Sequence, residues 1–573
     1  MRQRRLLPIW AFDIGALDVR RYRLPLRQAF RPPRIAGQAR KFEMNLSDTY
    51  DVVVVGFGTA GACSAIAAAE NGARVLVVDR ALGGGASALS GGIVYAGGGT
   101  AYQRAAGYHD DPENMFNYLR LEVNGVVDDE TLREFCEGSV ERLQWLERHG
   151  ARFGSSLCDY KTSYPTDGHY LYFSGNEKAY PYNRHAVPAP RGHRQIAKGM
   201  SSGRVLWQAL RNAALRLGVT FLPMTRIEDL LIVDDQVRGV RGRTLSDDAS
   251  LAATHFRYST AAGAKLTNWV PPAGRRFTAS ADRVFQSNAQ PITISANAVV
   301  LAAGGFVFNN DMLRRHAPEY SLVSPLGTAG DDGTGILLGA KAGGSTAHLN
   351  RVTAWRFISP PSAMIEGITV GISGERIANE DLYGATHADI MIRKFGGKGF
   401  LVLDGPTWKR ARRQLRTQTQ LFQKATMFPA FTVAHRTAST ISELADKLGV
   451  SRSGLIATVS AYNNAIACGT SDPAHKAPEL CAPLLHPPFY GVDISLKSAS
   501  TDFMPGLTLG GLVVEPASGR VQGETGVPVP GLYAVGRTAI GVCSNSYVSG
   551  LSLADCVFSG TRAGQHAARA ALR

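Results

Sequence analysis

The sequence predicts an α/β fold whose parallel sheet begins near residue 50 and is completed by the far end of the chain. Two glycine-rich stretches predict it. The first is Val52-Val53-Val54-Val55-Gly56-Phe57-Gly58-Thr59-Ala60-Gly61, closed by Leu76-Val77-Val78-Asp79. The second is Gly531-Leu532-Tyr533-Ala534-Val535-Gly536-Arg537, followed by Tyr547-Val548-Ser549-Gly550. The run 52–55 is apolar throughout, as a parallel strand covered on both faces must be. Gly56 permits a tight turn, Gly58 lets the backbone approach a pyrophosphate, and Gly61 lets helix and strand pack closely. The helix predicted over 61–71 turns its N-terminal amides and positive dipole end toward the phosphates. A second strand, 73–78, ends at Asp79, 23 residues after Gly56, where an acid binds ribose hydroxyls. Strand, turn, helix, strand and acid together specify a dinucleotide site. A bare GxGxxG does not.

The remaining elements follow in order. Residues 83–92 read as an irregular loop of small residues, suited to backbone passing against a flat ligand. Residues 112–149 read as helical, with acids in the first turns. Residues 155–200, rich in Tyr, Pro, Gly and His, lack periodicity and read as a long ordered loop. An amphipathic helix is predicted over 205–217, then alternating strands over 219–222, 227–233 and 237–242. Residues 244–290 are polar and Ser/Ala-rich, an expected insertion in a β-meander. Residues 298–305 form another buried strand, ending in a glycine pair, and a helix starts near Gly335 and stops near Gly343. From 346 to 488 the parallel-strand character is lost, with helices expected at 438–448 and 451–467. The last 85 residues rejoin the first domain and end in a helix over 552–572. The expected organisation is a basic extension (1–43, disordered), a cofactor domain in two parts (44–345 and 489–573) and an inserted domain (346–488).

Composition narrows the function. At 573 residues the chain exceeds one core. No apolar run reaches the ~18–20 residues of a membrane span, so no integral membrane segment is expected. Seven cysteines without a CxxC pair suit free thiols in a reducing compartment, hence a cytoplasmic location, and argue against a dithiol redox centre. No HExxH, EF-hand or Walker lysine motif is present, and no metal site is expected. Residues 1–43 carry 11 Arg/Lys against 3 Asp/Glu, or +8 of the net +15, so the basic character is half an N-terminal arm rather than a nucleic-acid face. That arm is Arg-rich like a transit peptide yet low in Ser, and Met44 sits just before the first strand. A disordered or artefactual arm is favoured over a targeting role.

Four stretches support a resemblance. They are the unit at Gly56, the strand end Ala302-Ala303-Gly304-Gly305, the segment Gly374-Glu375-Arg376-Ile377-Ala378-Asn379-Glu380-Asp381, and Thr508-Leu509-Gly510-Gly511-Leu512 with the Gly536 turn. Together they resemble the flavoprotein family of fumarate reductases, succinate dehydrogenases and ketosteroid dehydrogenases, over about residues 50–570. The resemblance implies a Rossmann-like, interrupted FAD-binding domain with an inserted α+β capping domain that carries catalytic residues. Residues 90–100, Pro188 to His193, Asn379-Glu380-Asp381-Leu382-Tyr383 and Tyr547-Val548-Ser549-Gly550 are most similar to the 3-ketosteroid Δ4-(5α)-dehydrogenases. The chain departs from that pattern at 1–43, at the long 244–290 segment and at Leu551.

The resemblance implies a small hydrophobic ketosteroid substrate, non-covalent FAD, and catalytic Tyr383, Tyr547 and Ser549. Tyr547, with a backbone amide near Gly550 or Leu551, would polarise the 3-keto oxygen. Ser549 and Tyr383 would take the C4 proton while hydride leaves C5 for the flavin. Tyr383, as a base, needs its pKa brought down from about 10, by the helix end at 550–553 and nearby arginines. The implied cofactor contacts are Gly56, Gly58, Thr59, Ala60, Gly61, Asp79, Arg80, Ala86, Ser87, Ser90, Gly91, Gly92, Ala303, Gly304, Gly536, Arg537, Leu551 and Ser552, with Asp555 a weaker candidate. Ala88, Leu89 and Ser90 offer no histidine for covalent attachment. Ser549 reads equally as a helix N-cap, and Arg376 as a partner of Glu380 or Asp381. Two alternatives stay open: a Δ1-dehydrogenase, which should carry a Tyr-Pro-Gly-Pro-Gly-like loop at 547–551, and a small-acid reductase, which should gather Arg351, Arg356, Arg393 and His435 into a carboxylate site. Only one dinucleotide fingerprint is found, so a nicotinamide bound in the same chain is not expected; the sequence does not name the external electron acceptor, and quinone, oxygen or another flavoprotein stay open.

Overall fold

A computed structural model describes residues 49–248, 250–267, 270–496 and 504–573. The basic arm lies outside them. An eight-stranded sheet forms the centre. Its parallel portion runs, in spatial order, Pro528–Ala534, Gln290–Leu301, Tyr50–Val55, Val75–Val78 and Thr220–Leu222. The strand from the C-terminal segment thus pairs next to one from the middle of the chain, which pairs next to the first. Gln290–Leu301 belongs to two layers. Its first half pairs antiparallel with Gln236–Thr244, and its second half pairs parallel with Tyr50–Val55.

The apolar runs are continuous because both faces of the sheet are covered. Side chains alternate across a strand. Val52, Val54, Val75, Val77, Ala298 and Val300 therefore pack into one core, with the helices Thr59–Glu70, Ser202–Arg216 and Leu551–Ala571. Val53, Val55, Leu76, Val78, Val299 and Leu301 pack into another, against the Thr225–Val233 and Gln236–Thr244 ribbon.

The first and last helices lie in backbone contact. A Cβ on Gly560 would stand 2.7 Å from the Ala60 carbonyl oxygen, and one on Gly564 2.3 Å from that of Ser64. The Ser64 hydroxyl donates to the Gly560 carbonyl at 3.1 Å. Ala, Gly and Ser line the seam because nothing larger fits.

The polar 244–290 segment is the expected insertion in a β-meander, lying between the antiparallel strands Gln236–Thr244 and Gln290–Leu301. It folds as a helical hairpin, Leu251–Thr267 and Pro271–Asn288. Ala253 and Phe256 on one helix face Ala281 and Phe285 on the other, at helical spacing, and they enclose Met224 and Leu245 of the ribbon. An Arg226–Asp282 ion pair ties the hairpin to the sheet.

A separate antiparallel sheet, in the order Ile368–Val370, Phe400–Leu403, Phe489–Asp493 and His435–Ala438, carries two further cores. The helices expected at 438–448 and 451–467 are present as Ile441–Leu448 and Arg452–Ala467. The return read at 488 falls one residue before the Phe489–Asp493 strand, which is interior to this sheet. Among the described residues no helix is long and apolar enough to cross a membrane.

Gly564→Val should separate the two helices, since overpacking a closed seam costs about 1–3 kcal/mol. The expected outcome is a lower thermal midpoint in circular dichroism; an unchanged midpoint would show that the seam has slack.

Candidate active site

The turn at Gly56 meets the requirements of a dinucleotide cradle. Gly56 has φ +105°, and a Cβ there would lie 2.4 Å from the Ala302 carbonyl oxygen. A Cβ on Gly61 would lie 1.9 Å from the Gly56 oxygen, so Gly61 is fixed by helix–strand packing. The helix Thr59–Glu70 begins at Gly58 without a side-chain cap. The amides of Ala60 and Gly61 in its first turn are therefore available to an anion. The Ser87 hydroxyl accepts from the Thr59 amide at 3.0 Å and holds the 83–92 loop over the turn, where Gly85–Leu89 forms a short helix. Asp79 accepts from the amides of Phe57 (2.8 Å) and Ala81 (2.7 Å), which fixes its carboxylate and leaves acceptor positions for hydroxyls.

A second uncapped helix start converges on the first. Leu551–Ala571 begins after Gly550, at φ +95°, where a Cβ would lie 2.8 Å from the Tyr95 amide nitrogen. Arg537 is buried and ion-paired with Asp331 through Nη2, while its Nη1 has no hydrogen-bond partner among the described residues. A buried guanidinium N–H without a partner fits a site for an anionic ligand. The orphaned guanidinium, the two helix starts and the glycine cradle fit FAD.

These features border one continuous cavity of about 2050 Å³. Gly56, Gly58, Thr59, Ala60, Asp79 and Arg80 line it, as do Ala86, Ser87 and Ser90 to Gly92. Ala303, Gly304, Arg537 and Ser552 complete that half. Three expected contacts do not line it. Gly61 is spent on packing. A Cβ on Gly536 would lie 2.9 Å from Ala60 Cβ and 3.2 Å from Cys556 Sγ, on the two helices. Leu551 is fully buried in the core, and its amide donates to the Val548 carbonyl.

Asp555 also sits away from the cavity lining. It accepts from the Val542 amide at 3.3 Å, and its pKa is pushed up to about 6 by burial, with Arg562 and that amide opposing. Arg80, an expected cofactor contact, reaches the cavity while pairing with Asp332.

Tyr383, Tyr547 and Ser549 line the same cavity. The Trp355 indole donates to the Tyr383 hydroxyl at 3.2 Å and meets the Tyr547 ring edge-on, with centroids 4.9 Å apart. Trp355 is itself placed by its backbone amide, which donates to the Pro505 carbonyl of the returning segment at 2.9 Å. A fourth hydroxyl was not anticipated. Tyr172, in the strand Leu171–Tyr172, donates to Ser549 Oγ at 2.8 Å. Ser549 makes no side-chain cap, so the N-cap reading gives way.

The electrostatics reverse one expectation. Burial pushes the Tyr383 phenol above its ordinary value, with Trp355 and Ser549 opposing. It also pushes up Tyr547, where Tyr383 and Cys543 add to the effect and the Gly550 amide and Arg537 oppose it, and Tyr172. Helix end and arginine do not outweigh desolvation, so the phenols are neutral donors at neutral pH.

Glu122 ties the segments of Tyr383 and Tyr547 together. Fully buried, it accepts from Tyr118 (2.8 Å), Asn176 Nδ2 (2.6 Å) and Ser546 (2.5 Å), while Asn176 Oδ1 accepts from the Tyr383 amide at 2.6 Å. Arg376 is a structural cation, paired with Glu380 and Asp472. Of Arg351, Arg356, Arg393 and His435, only Arg356 lines the cavity, and it donates to the Ser495 carbonyl.

The family model described as FAD binding domain matches residues 51–553. The chain belongs to this FAD-binding family. It is 38% identical, over 86% of its length and 93% of the relative's, to a 3-oxo-5-alpha-steroid 4-dehydrogenase of Comamonas testosteroni. The crystal structure of a 3-ketosteroid-delta4-(5alpha)-dehydrogenase from Rhodococcus jostii RHA1, in complex with 4-androstene-3,17-dione, matches with a TM-score of 0.77 and 30% identity, covering 93% of this chain and 99% of that one. A 3-ketosteroid delta1-dehydrogenase from Sterolibacterium denitrificans shares the fold, with a TM-score of 0.62 and 18% identity, covering 91% of this chain and 100% of that one. FAD is thus the cofactor of this flavoenzyme fold, which is of the ketosteroid dehydrogenase type.

Asp555 makes a pH prediction. Its folded pKa, about 6, lies above the ordinary 3.8, so ionising it costs stability, and the cost grows as pH rises from about 4 to 6. Asp555→Asn, which keeps an acceptor for Val542, should gain on the parent protein through that window, by at most about 3 kcal/mol. Thermal denaturation across pH checks this; a pH-independent gap between the two proteins contradicts it.

Proposed function

We propose that the protein is an FAD-dependent dehydrogenase that introduces a C4=C5 double bond into 3-keto-5α-steroids. The observation that carries this is the gathering of Tyr383, Tyr547 and Ser549 on the wall of the cavity that also holds the dinucleotide cradle, with Tyr172 bonded to Ser549 from behind that wall. The printed activities of the Comamonas and Rhodococcus relatives supply the substrate class.

The neutral phenols suit donation. Tyr547 would give its hydrogen to the 3-keto oxygen, with the Gly550 amide as the neighbouring backbone donor, and so stabilise negative charge as it grows on that oxygen. The Ser549 hydroxyl would take the C4 proton as it releases its own to the Tyr172 oxygen, with their hydrogen bond reversing and Tyr172 passing its proton on toward solvent, so that no charge is left on the serine. Tyr383, clamped by Trp355 and Asn176, would fix the other side of the ketone-bearing ring. Bound FAD supplies the acceptor for the hydride that leaves C5. The wall around Trp355, Phe357 and Leu507 is apolar and would exclude water from the reacting carbons.

We read the segment from about 346 through Asp493 as the capping domain, closing on a cofactor domain made from the two flanking segments. We also place the protein in the cytoplasm; all seven cysteines are free thiols. The small-acid reductase is disfavoured because its candidates do not gather: Arg351, Arg393 and His435 do not line the cavity that Arg356 reaches, and Arg393 pairs with Asp389. The Δ1 reading is disfavoured because Val548-Ser549-Gly550 stands where a proline–glycine loop would be needed.

Tyr547→Phe should lower kcat on a 5α-saturated 3-ketosteroid by roughly 10²–10³ while leaving FAD content unchanged. Tyr383→Phe and Ser549→Ala should also lose turnover. Near-normal turnover in Tyr547→Phe would remove the carbonyl assignment.

A further inference from the structure

One wall of the cavity also faces outward in an unusual way. The helix Leu421–Thr432 presents Phe422 and Met427 to the cavity, and Val433 follows it there. Its solvent side is apolar as well. Leu421 is 82% exposed and Phe428 60%, and Val433 is 65% exposed. Leu421, Lys424, Ala425, Phe428 and Thr432 fall at i, i+3, i+4, i+7 and i+11, a single helix face, and all five are exposed. Lys424 stands between the two large apolar side chains and donates to the Arg416 carbonyl, which ties this helix to the loop before it.

Within the segment 405–442 the charge has one sign, while Glu366, paired with Arg410, and Asp167, which accepts from Gln420, stand at its edge. Residues 405–442 contain seven Arg/Lys and no Asp/Glu, although the net charge outside the N-terminal arm is only +7. Lys409, Arg412, Arg413 and Arg416 are exposed and form no ion pair among the described residues. An interfacial helix that binds an anionic bilayer needs this combination: large apolar side chains on one exposed face with Lys and Arg beside them. A helix that only roofed the cavity would need apolar residues on its inner side alone. The excess of Lys and Arg over acids separates this segment from an ordinary solvated one, where both signs are interspersed.

We propose that the 405–433 surface docks the cavity mouth on an anionic lipid bilayer, so that apolar substrate enters from the membrane rather than from water. The docking stands on the surface itself. The delivery of steroid rests on the function proposed above, and binding is therefore measured without substrate.

The test is co-sedimentation of the full-length, FAD-loaded protein with vesicles of phosphatidylcholine, alone or mixed with phosphatidylglycerol. Binding is expected to the mixed vesicles only and to weaken as salt rises. The pairs Leu421→Gln/Phe428→Gln and Arg412→Glu/Arg413→Glu should each lower the bound fraction roughly tenfold or more. Their flavin spectra and their turnover of dissolved steroid should be unchanged, because these residues are exposed and outside the catalytic set. The proposal is overturned if either pair sediments like the parent protein, which would leave the N-terminal arm as the binding element. It is also overturned if duplex DNA competes and only the charge pair matters, which would mark a general polyanion site. Loss of a dimer in Leu421→Gln/Phe428→Gln by analytical ultracentrifugation, with no vesicle binding by the parent, would assign the face to a second copy of the chain.

Discussion

The close approach of the helices Thr59–Glu70 and Leu551–Ala571 is the constraint on which the site depends. Gly560 and Gly564 let the two backbones meet at Ala60 and Ser64. This brings two uncapped helix starts, one from each end of the chain, to the same cavity. Each contributes unpaired amides and the positive end of a dipole. Gly536 fills the space between Ala60 and Cys556 and admits no side chain. A residue such as Gly564 therefore acts on the site without touching it. The C-terminal helix also carries the Tyr547–Gly550 turn on its start, so the seam that assembles the dinucleotide cradle places the hydroxyl cluster in the same step.

Burial then decides the chemistry. Three hydroxyls share a low-dielectric wall with the Trp355 indole, Tyr172 stands behind Ser549, and desolvation keeps the phenols protonated. A cluster of neutral donors can stabilise a developing enolate without a resident anion competing for the same hydrogen bonds. The Glu122 network serves the same end from behind. It links Ser546, next to Tyr547, with Asn176, which holds the Tyr383 amide, so the two walls of the site keep a fixed separation. A buried network of this kind is stabilising only when its members are satisfied, and the Glu122 carboxylate meets three donors.

What was legible in the sequence follows the range of the interactions concerned. The βαβ unit at Gly56 is local: an apolar run, three glycines and an acid within one segment. Tyr383, Tyr547 and Ser549 were legible only through motif context, because a lone tyrosine carries no signal of its role. Tyr172 was not legible. It lies in the aperiodic 155–200 stretch, and its importance rests on a bond to Ser549, 377 positions away. Gly536, Leu551 and Asp555 illustrate the opposite case. They sit in the right segment, but whether such a residue faces a ligand or a neighbouring helix is fixed by tertiary packing. The hairpin at 251–288 was obscured by its polar composition, although Ala253, Phe256, Ala281 and Phe285 already carried helical spacing.

The most direct measurement of the central claim is anaerobic titration of the purified yellow protein with three compounds: a 5α-saturated 3-ketosteroid, a 4-ene-3-ketosteroid and succinate. A cavity that couples a dinucleotide cradle to a rim of neutral hydroxyls should allow the saturated ketosteroid alone to bleach the flavin, with the 4-ene product released. Bleaching by succinate or by the 4-ene compound instead, or a colourless polypeptide that takes up no FAD, would contradict the account.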